Sequence, residues 1–175
     1  MKTVILPHNN KIRCVATDVD GVMNSGVLHF GLDGQEIIKD FHVKDGMGIK
    51  LLLEEGIVFH VITGRASPIL RTRLNSLGAN SIHEGVEDKL SCLKGLLEVD
   101  GILPHEVAYI GDDLNDLAVL AWLYSEGGVG FCPQDAVDIV KETALHVTSL
   151  AGGQGSLREM LDWVLWQNRE HAGTD

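Results

Sequence analysis

Short apolar runs punctuated by turn residues dominate the chain, and their lengths alternate between strand-sized and helix-sized segments. Cys14-Val15-Ala16 leads into Asp18 and Gly21, which predicts a buried strand over 13–18 that delivers Asp18 at its carboxyl end. Val27–Phe30 and 36–43 flank Gly31-Leu32-Asp33-Gly34, a turn signature between β-prone runs that predicts an antiparallel hairpin. Helical spacing of apolar residues, with capping and glycine stop signals, predicts helices over 46–55, 67–77, 87–99, 114–124, 136–142 and 156–167. Between them, 57–62, 81–83, 107–110, 129–131 and 145–147 read as strands. Strands and helices that alternate through brief loops predict an α/β fold: a Rossmann-like parallel sheet with helices on both faces and a hairpin inserted after the first strand. Asp18, Thr63 and Gly111-Asp112 each close a strand, so all three fall at the sheet edge where open parallel sheets bind ligands.

A length of 175 residues fits one domain spanning 1–175, large enough to bury a core without disulfides or metal. Fourteen Lys and Arg against twenty-five Asp and Glu leave a net charge of −11, which argues against a nucleic-acid partner. The three cysteines, Cys14, Cys92 and Cys132, are odd in number and lack metal or redox spacing, which suits a reducing compartment. The apolar run before Pro7 is too short for a signal peptide, and Leu117–Tyr124 is too short to span a bilayer, so a cytoplasmic protein with no membrane partner is expected. The eight histidines show no ligand spacing and read as structural or exposed.

Candidate chemistry concentrates in two acidic motifs. In Asp18-Val19-Asp20-Gly21-Val22 the two carboxylates can serve as nucleophile and proton donor. In Gly111-Asp112-Asp113-Leu114-Asn115-Asp116 helix capping accounts for one or two of the three carboxylates. Two like charges about 4 Å apart repel by about 4 kcal/mol at an effective dielectric near 20, so this cluster calls for a cation. Oxygen-only donors favour a hard ion, and Mg²⁺ suits a phosphate ester. The opposite polarity comes from Thr63-Gly64-Arg65, a strand-to-helix turn able to approach an anion, and from Lys89. Lys89 stands in the first turn of its helix, where the dipole disfavours a cation, so it requires a negative neighbour.

Asp18-x-Asp20, Thr63, Lys89 and Gly111-Asp112-Asp113-x-x-Asp116 follow the order and spacing of the four motifs of haloacid dehalogenase-like phosphatases, which the chain resembles over almost its whole length. The resemblance extends, through the hairpin, His42-Val43-Lys44-Asp45-Gly46 and Ala151-Gly152-Gly153-Gln154-Gly155, to the small tetrameric branch that has no large cap and acts on sugar acid phosphates. It implies that Asp18 accepts the phosphoryl group while Asp20 protonates the departing oxygen and then activates water. It implies Mg²⁺ held by Asp18, Asp112 and the main-chain carbonyl of Asp20, Thr63 and Lys89 on the phosphoryl oxygens, and Asp113 and Asp116 orienting Lys89 and metal-bound water. The substrate segment maps to His42, Val43, Lys44, Asp45 and Gly46, with Lys50, Arg65 and Arg73 as further contacts. The substrate it implies is 3-deoxy-D-manno-octulosonate 8-phosphate, with a sialic-acid-type 9-phosphate as the alternative. A homotetramer in which the hairpin roofs a neighbouring crevice is also implied. Two positions depart from the pattern, Ser25 in place of Asp and Gln154 in place of Arg. A non-catalytic receiver-like module uses similar groups, but there the acidic pair and the acceptor lie on different strands; here Asp18 and Asp20 follow one strand.

Overall fold

The computed structural model describes residues 10–172, so the reading of the segment before Pro7, and that of His8, lies outside the described residues. Eight strands and six α-helices alternate: β1 (Cys14–Thr17), β2 (His29–Phe30), β3 (Glu36–Ile38), α1 (Val43–Glu54), β4 (Val58–Ile62), α2 (Pro68–Leu77) and β5 (Ser81–His83) come first. They are followed by α3 (Lys89–Asp100), β6 (Val107–Ile110), α4 (Leu117–Glu126), β7 (Val129–Cys132), α5 (Asp138–Thr143), β8 (His146–Val147) and α6 (Ser156–Ala172). Six strands form one parallel sheet in the order β5-β4-β1-β6-β7-β8. The chain builds outward from β1 through β4 to β5, then returns to β6 beside β1 and builds the other way. That reversal opens a crevice at the carboxyl ends of β1 and β6.

Each central strand is buried on both faces, which is why β1, β6 and β7 read as unbroken apolar runs. Successive residues feed opposite cores. Val15 and Val61 pack with Leu70 and Leu161 under α1, α2 and α6, whereas Ala16 and Ile62 pack with Leu93, Leu120 and Val140 under α3, α4 and α5. Helices therefore cover both faces, as the alternation predicts. No helix among the described residues is long and apolar enough to cross a membrane, and Cys14, Cys92 and Cys132 are free thiols.

Several boundaries differ from the pattern-based expectation, among them α4, which starts at Leu117 instead of 114, and α6, which runs to Ala172 instead of 167. Helix α1 starts at Val43 instead of 46, and its Gly46 and Gly48 lie where close packing leaves no room for a side chain. A Cβ on Gly46 would stand 2.4 Å from Arg73 Nη2, and one on Gly48 2.9 Å from Leu161 Cδ1. Helix α3 starts at Lys89 because the Asp88 carboxylate accepts from the Ser91 N–H at 3.0 Å and caps it. The hairpin strands are shorter than predicted and form a separate two-stranded sheet, with Val27, Phe30, Leu32, Ile37 and Ile38 all exposed.

Phe59 on β4 is fully buried in the larger core. Phe59→Ala is expected to lower unfolding free energy by about 3–5 kcal/mol, read from urea denaturation.

Candidate active site

The chain leaves β1 at Asp18 and turns at once: the amides of Val22, Met23 and Asn24 all donate to the Val19 carbonyl. Gly21 sits at φ +90°, and a Cβ there would fall 1.9 Å from Asp112 Oδ2. Glycine is thus required both by the backbone and by the approach of the second acidic loop. The glycine segment before α6 closes over the same turn. Gly153 N–H donates to the Val22 carbonyl at 2.9 Å, and a Cβ on Gly152 would meet the Gly21 carbonyl at 1.9 Å.

Lys89 lies at the centre. Its ammonium is fully buried and contacts Asp18 Oδ2 at 2.8 Å and Asp116 Oδ1 at 2.7 Å. Here is the negative partner its unfavourable helix position requires. Asp116 is held by four donors: Lys89 and the Tyr109 hydroxyl (2.5 Å) on Oδ1, and the N–H groups of Asp112 (3.0 Å) and Asp113 (3.3 Å) on Oδ2. The carboxylates of Asp18, Asp112 and Asp116 place one oxygen each within 4.8 Å of one another. With Asp116 saturated by protein donors, Asp18 and Asp112 are the two free to hold a cation. Asp112 Oδ1 is buried and has no hydrogen-bond partner, an oxygen that a hard divalent ion would satisfy.

The electrostatics agree with that need. Burial, then repulsion from Asp18 and Asp116, pushes the Asp112 carboxyl up to about 8. Burial and Asp116 raise Asp18 as well, against the pull of Lys89. Burial alone would lower Lys89, yet Asp18 and Asp116 leave it raised. Unlike these, Asp113 is exposed, and its carboxylate caps the turn at Leu114 N (2.7 Å) without reaching Lys89.

Across the crevice, Asp20 Oδ1 receives Asn24 Nδ2 at 2.7 Å and Lys39 Nζ at 2.6 Å, while Oδ2 faces Arg65 Nε at 3.6 Å. Thr63 is buried at the end of β4, anchored through its amide to the His83 carbonyl, with its hydroxyl accepting from Arg65 N–H at 3.3 Å. Arg65 also lies 5.9 Å from the Phe30 ring centroid, which ties the hairpin to this loop.

The remaining candidates cluster elsewhere. Asp45 is buried and accepts from Arg158 N–H at 2.9 Å, joining α1 to α6; burial pushes its carboxyl up to about 6. His42 is half-buried beside Gly155, Val43, Lys44 and Lys50 are exposed on α1, and Arg73 lies against Gly46. Among the described residues, no hydrogen bond or ion pair joins this group to Asp18, Asp20 or Asp112. Arg158 is occupied by Asp162 (2.7 Å) and the Lys44 carbonyl. Ser25 and Gln154 are both exposed, and the glycine preceding Gln154 packs against the Ser25 amide. Sequence reasoning missed Lys39, Asn24 and Tyr109: the tyrosine reads as strand core, and the lysine as one of several charges in a solvated turn.

Sheet, crevice and carboxylate cluster together form a site suited to a divalent cation. Residues 75–155 match the haloacid dehalogenase-like hydrolase family. The chain is 43% identical over 154 residues to 3-deoxy-D-manno-octulosonate 8-phosphate phosphatase of Haemophilus influenzae, covering 88% of this chain and 83% of that one. The crystal structure of the Yersinia pestis 3-deoxy-D-manno-octulosonate 8-phosphate phosphatase superposes with a TM-score of 0.87 at 36% identity, over 97% of this chain and 89% of that one. The Moraxella catarrhalis enzyme, in complex with a magnesium ion, a phosphate ion and a KDO molecule, gives 0.86 at 33% identity, over 94% and 92%. The chain belongs to the haloacid dehalogenase-like phosphatases, in the branch that contains these enzymes.

Because Asp112 is shifted from 3.8 to about 8, the folded chain keeps a proton that the unfolded chain has released between those values. Stability of metal-free protein is therefore expected to fall as pH rises from about 4 to about 8. Melting curves in chelator should show that decline, and added Mg²⁺ should raise Tm most at the alkaline end, where the carboxylates are ionised.

Proposed function

We propose that the protein hydrolyses a sugar acid phosphate, foremost 3-deoxy-D-manno-octulosonate 8-phosphate, by transferring the phosphoryl group to Asp18. The observation that carries this reading is the juxtaposition of Asp18, Lys89, Asp112 and Asp116 around one point at the strand-end crevice. The substrate reading is supported by relatives of that specificity that align over most of the chain.

Mg²⁺ held by Asp18, Asp112 and the Asp20 carbonyl would neutralise the approach of a carboxylate to a phosphate. Asp18 attacks phosphorus, and the bond from phosphorus to the sugar oxygen breaks as Asp20 Oδ2 gives that oxygen its proton. The products of this half are the free sugar acid and an aspartyl-phosphate. Asp20 then takes a proton from water as its oxygen attacks phosphorus, releasing phosphate and restoring Asp18. Lys89 has three N–H donors and spends two on Asp18 and Asp116, so one is left for a phosphoryl oxygen. The Thr63 hydroxyl serves a second phosphoryl oxygen, where charge develops in the transition state. Asp116 positions Lys89, and Asp113 shapes the loop through its cap.

Arg65 stands at the mouth of the crevice and meets the acid group of the substrate. The resemblance carries His42 to Gly46, Lys50 and Arg73 to the substrate as well; of these His42, Val43, Lys44, Lys50 and Arg73 have exposed surface to offer, whereas Asp45 and Gly46 are buried and hold α1 against α6 and α2. The exposed apolar hairpin supports a homotetramer, since an uncovered pair of edge strands bearing Phe30, Ile37 and Ile38 invites a second copy.

Asp18→Asn and Asp20→Asn should each reduce Mg²⁺-dependent phosphate release by at least about a hundredfold with the fold retained by circular dichroism. Full activity in either variant contradicts the mechanism. In a screen of phosphate esters, octulosonate 8-phosphate should exceed simple alkyl phosphates in kcat/KM, and Gln154→Arg should lower its KM. Equal rates across esters would leave a phosphatase of another specificity.

A further inference from the structure

Lys39 belongs to the hairpin segment, yet its side chain is only 2% exposed. A long cationic side chain is seldom buried unless its charge is matched. Its ammonium lies 2.6 Å from Asp20 Oδ1 and 3.4 Å from Glu36 Oε1. Glu36 in turn accepts from the Ser67 hydroxyl at 2.5 Å, at the residue whose side chain caps α2 by accepting from Leu70 N–H. The hairpin therefore reaches two loops of the site through one charged chain of contacts.

The two oxygens of Asp20 are not equivalent. Oδ1 receives both Lys39 and Asn24, whereas Oδ2 is buried without a hydrogen-bond partner and faces only the partly exposed Arg65, whose Nε stands off at 3.6 Å. The Asn24 amide cannot turn over to change this, because its Oδ1 already accepts from the N–H groups of Gly21 (3.2 Å) and Gly26 (2.8 Å). A carboxyl saturated on one oxygen by two fixed donors is locked in rotation and offers only the other oxygen to a ligand.

We propose that Lys39 is a positioning residue that clamps Asp20 Oδ1, so that Oδ2 alone is presented to the departing oxygen of the substrate. The inference rests on the reading of Asp20 as proton donor. It assigns the hairpin a part in turnover within its own subunit.

The test compares two esters in single-turnover phosphoryl transfer by the Mg²⁺-loaded protein: octulosonate 8-phosphate, whose alkoxide leaves only with a proton, and p-nitrophenyl phosphate, whose phenolate leaves unaided. Lys39→Met keeps the length of the side chain and removes its charge. The ratio of sugar-ester to aryl-ester rate is expected to fall about tenfold or more, with the sugar-ester KM within about threefold of wild type. Lys39→Arg should recover part of the ratio, and Lys39→Gln replaces Lys39→Met if the latter does not fold. A parallel fall on both esters, or no fall on either, overturns the role of Lys39. Asp20→Asn in the same assay separates the two levels. If it shifts the ratio and Lys39→Met does not, only the clamp fails. If it leaves the ratio unchanged, the reading of Asp20 fails and takes the clamp with it.

Discussion

Everything at the strand-end crevice depends on one buried ammonium. Lys89 is fully enclosed at the first turn of α3, against the helix dipole, and is kept charged by Asp18 on one side and Asp116 on the other. Its position fixes theirs. Asp116 is drawn from the second acidic loop into the core, where Tyr109 and two loop amides complete its shell, and this folds Gly111–Asp116 into the shape that brings Asp112 beside Asp18. One lysine still does not balance three carboxylates. The residual repulsion raises Asp112 and leaves an unpartnered oxygen, so the fold itself creates the demand for a divalent cation.

Close backbone contact is the second constraint. The turn after β1, the loop after β6 and the glycine segment before α6 meet within distances that exclude a Cβ at Gly21 and Gly152. These segments are more than a hundred residues apart in the chain at the extremes, yet they form one surface. Helix α6, whose apolar side helps fill the larger core, anchors the last of them. Packing far from the crevice thereby fixes the loop that carries Asp18 and Asp20.

The order of strands and helices was legible because buried parallel strands read as apolar runs and helices carry start and stop signals such as Ser67 before α2 and Gly78 after it. The acidic motifs were legible because they stand directly after strands and outnumber what capping needs. Helix starts were less so: α1 begins at Val43, three residues before the expected start, with no side-chain cap at His42 to mark it. Lys39 was hidden for a different reason. Next to Asp40 and three residues from Glu36 it has the look of a solvated charge, and only the tertiary return of the hairpin to Asp20 buries it. Asn24 and Tyr109 were concealed in the same way, since long-range partners give no periodic signal.

The central claim is that Asp18 takes the phosphoryl group. Turnover of octulosonate 8-phosphate with Mg²⁺, quenched in acid within the first cycle and digested for mass spectrometry, addresses it directly. A phosphate adduct on the peptide that carries Asp18, absent from Asp18→Asn, is the predicted result. Product phosphate formed with no adduct on that peptide, or with the adduct on another residue, would contradict it.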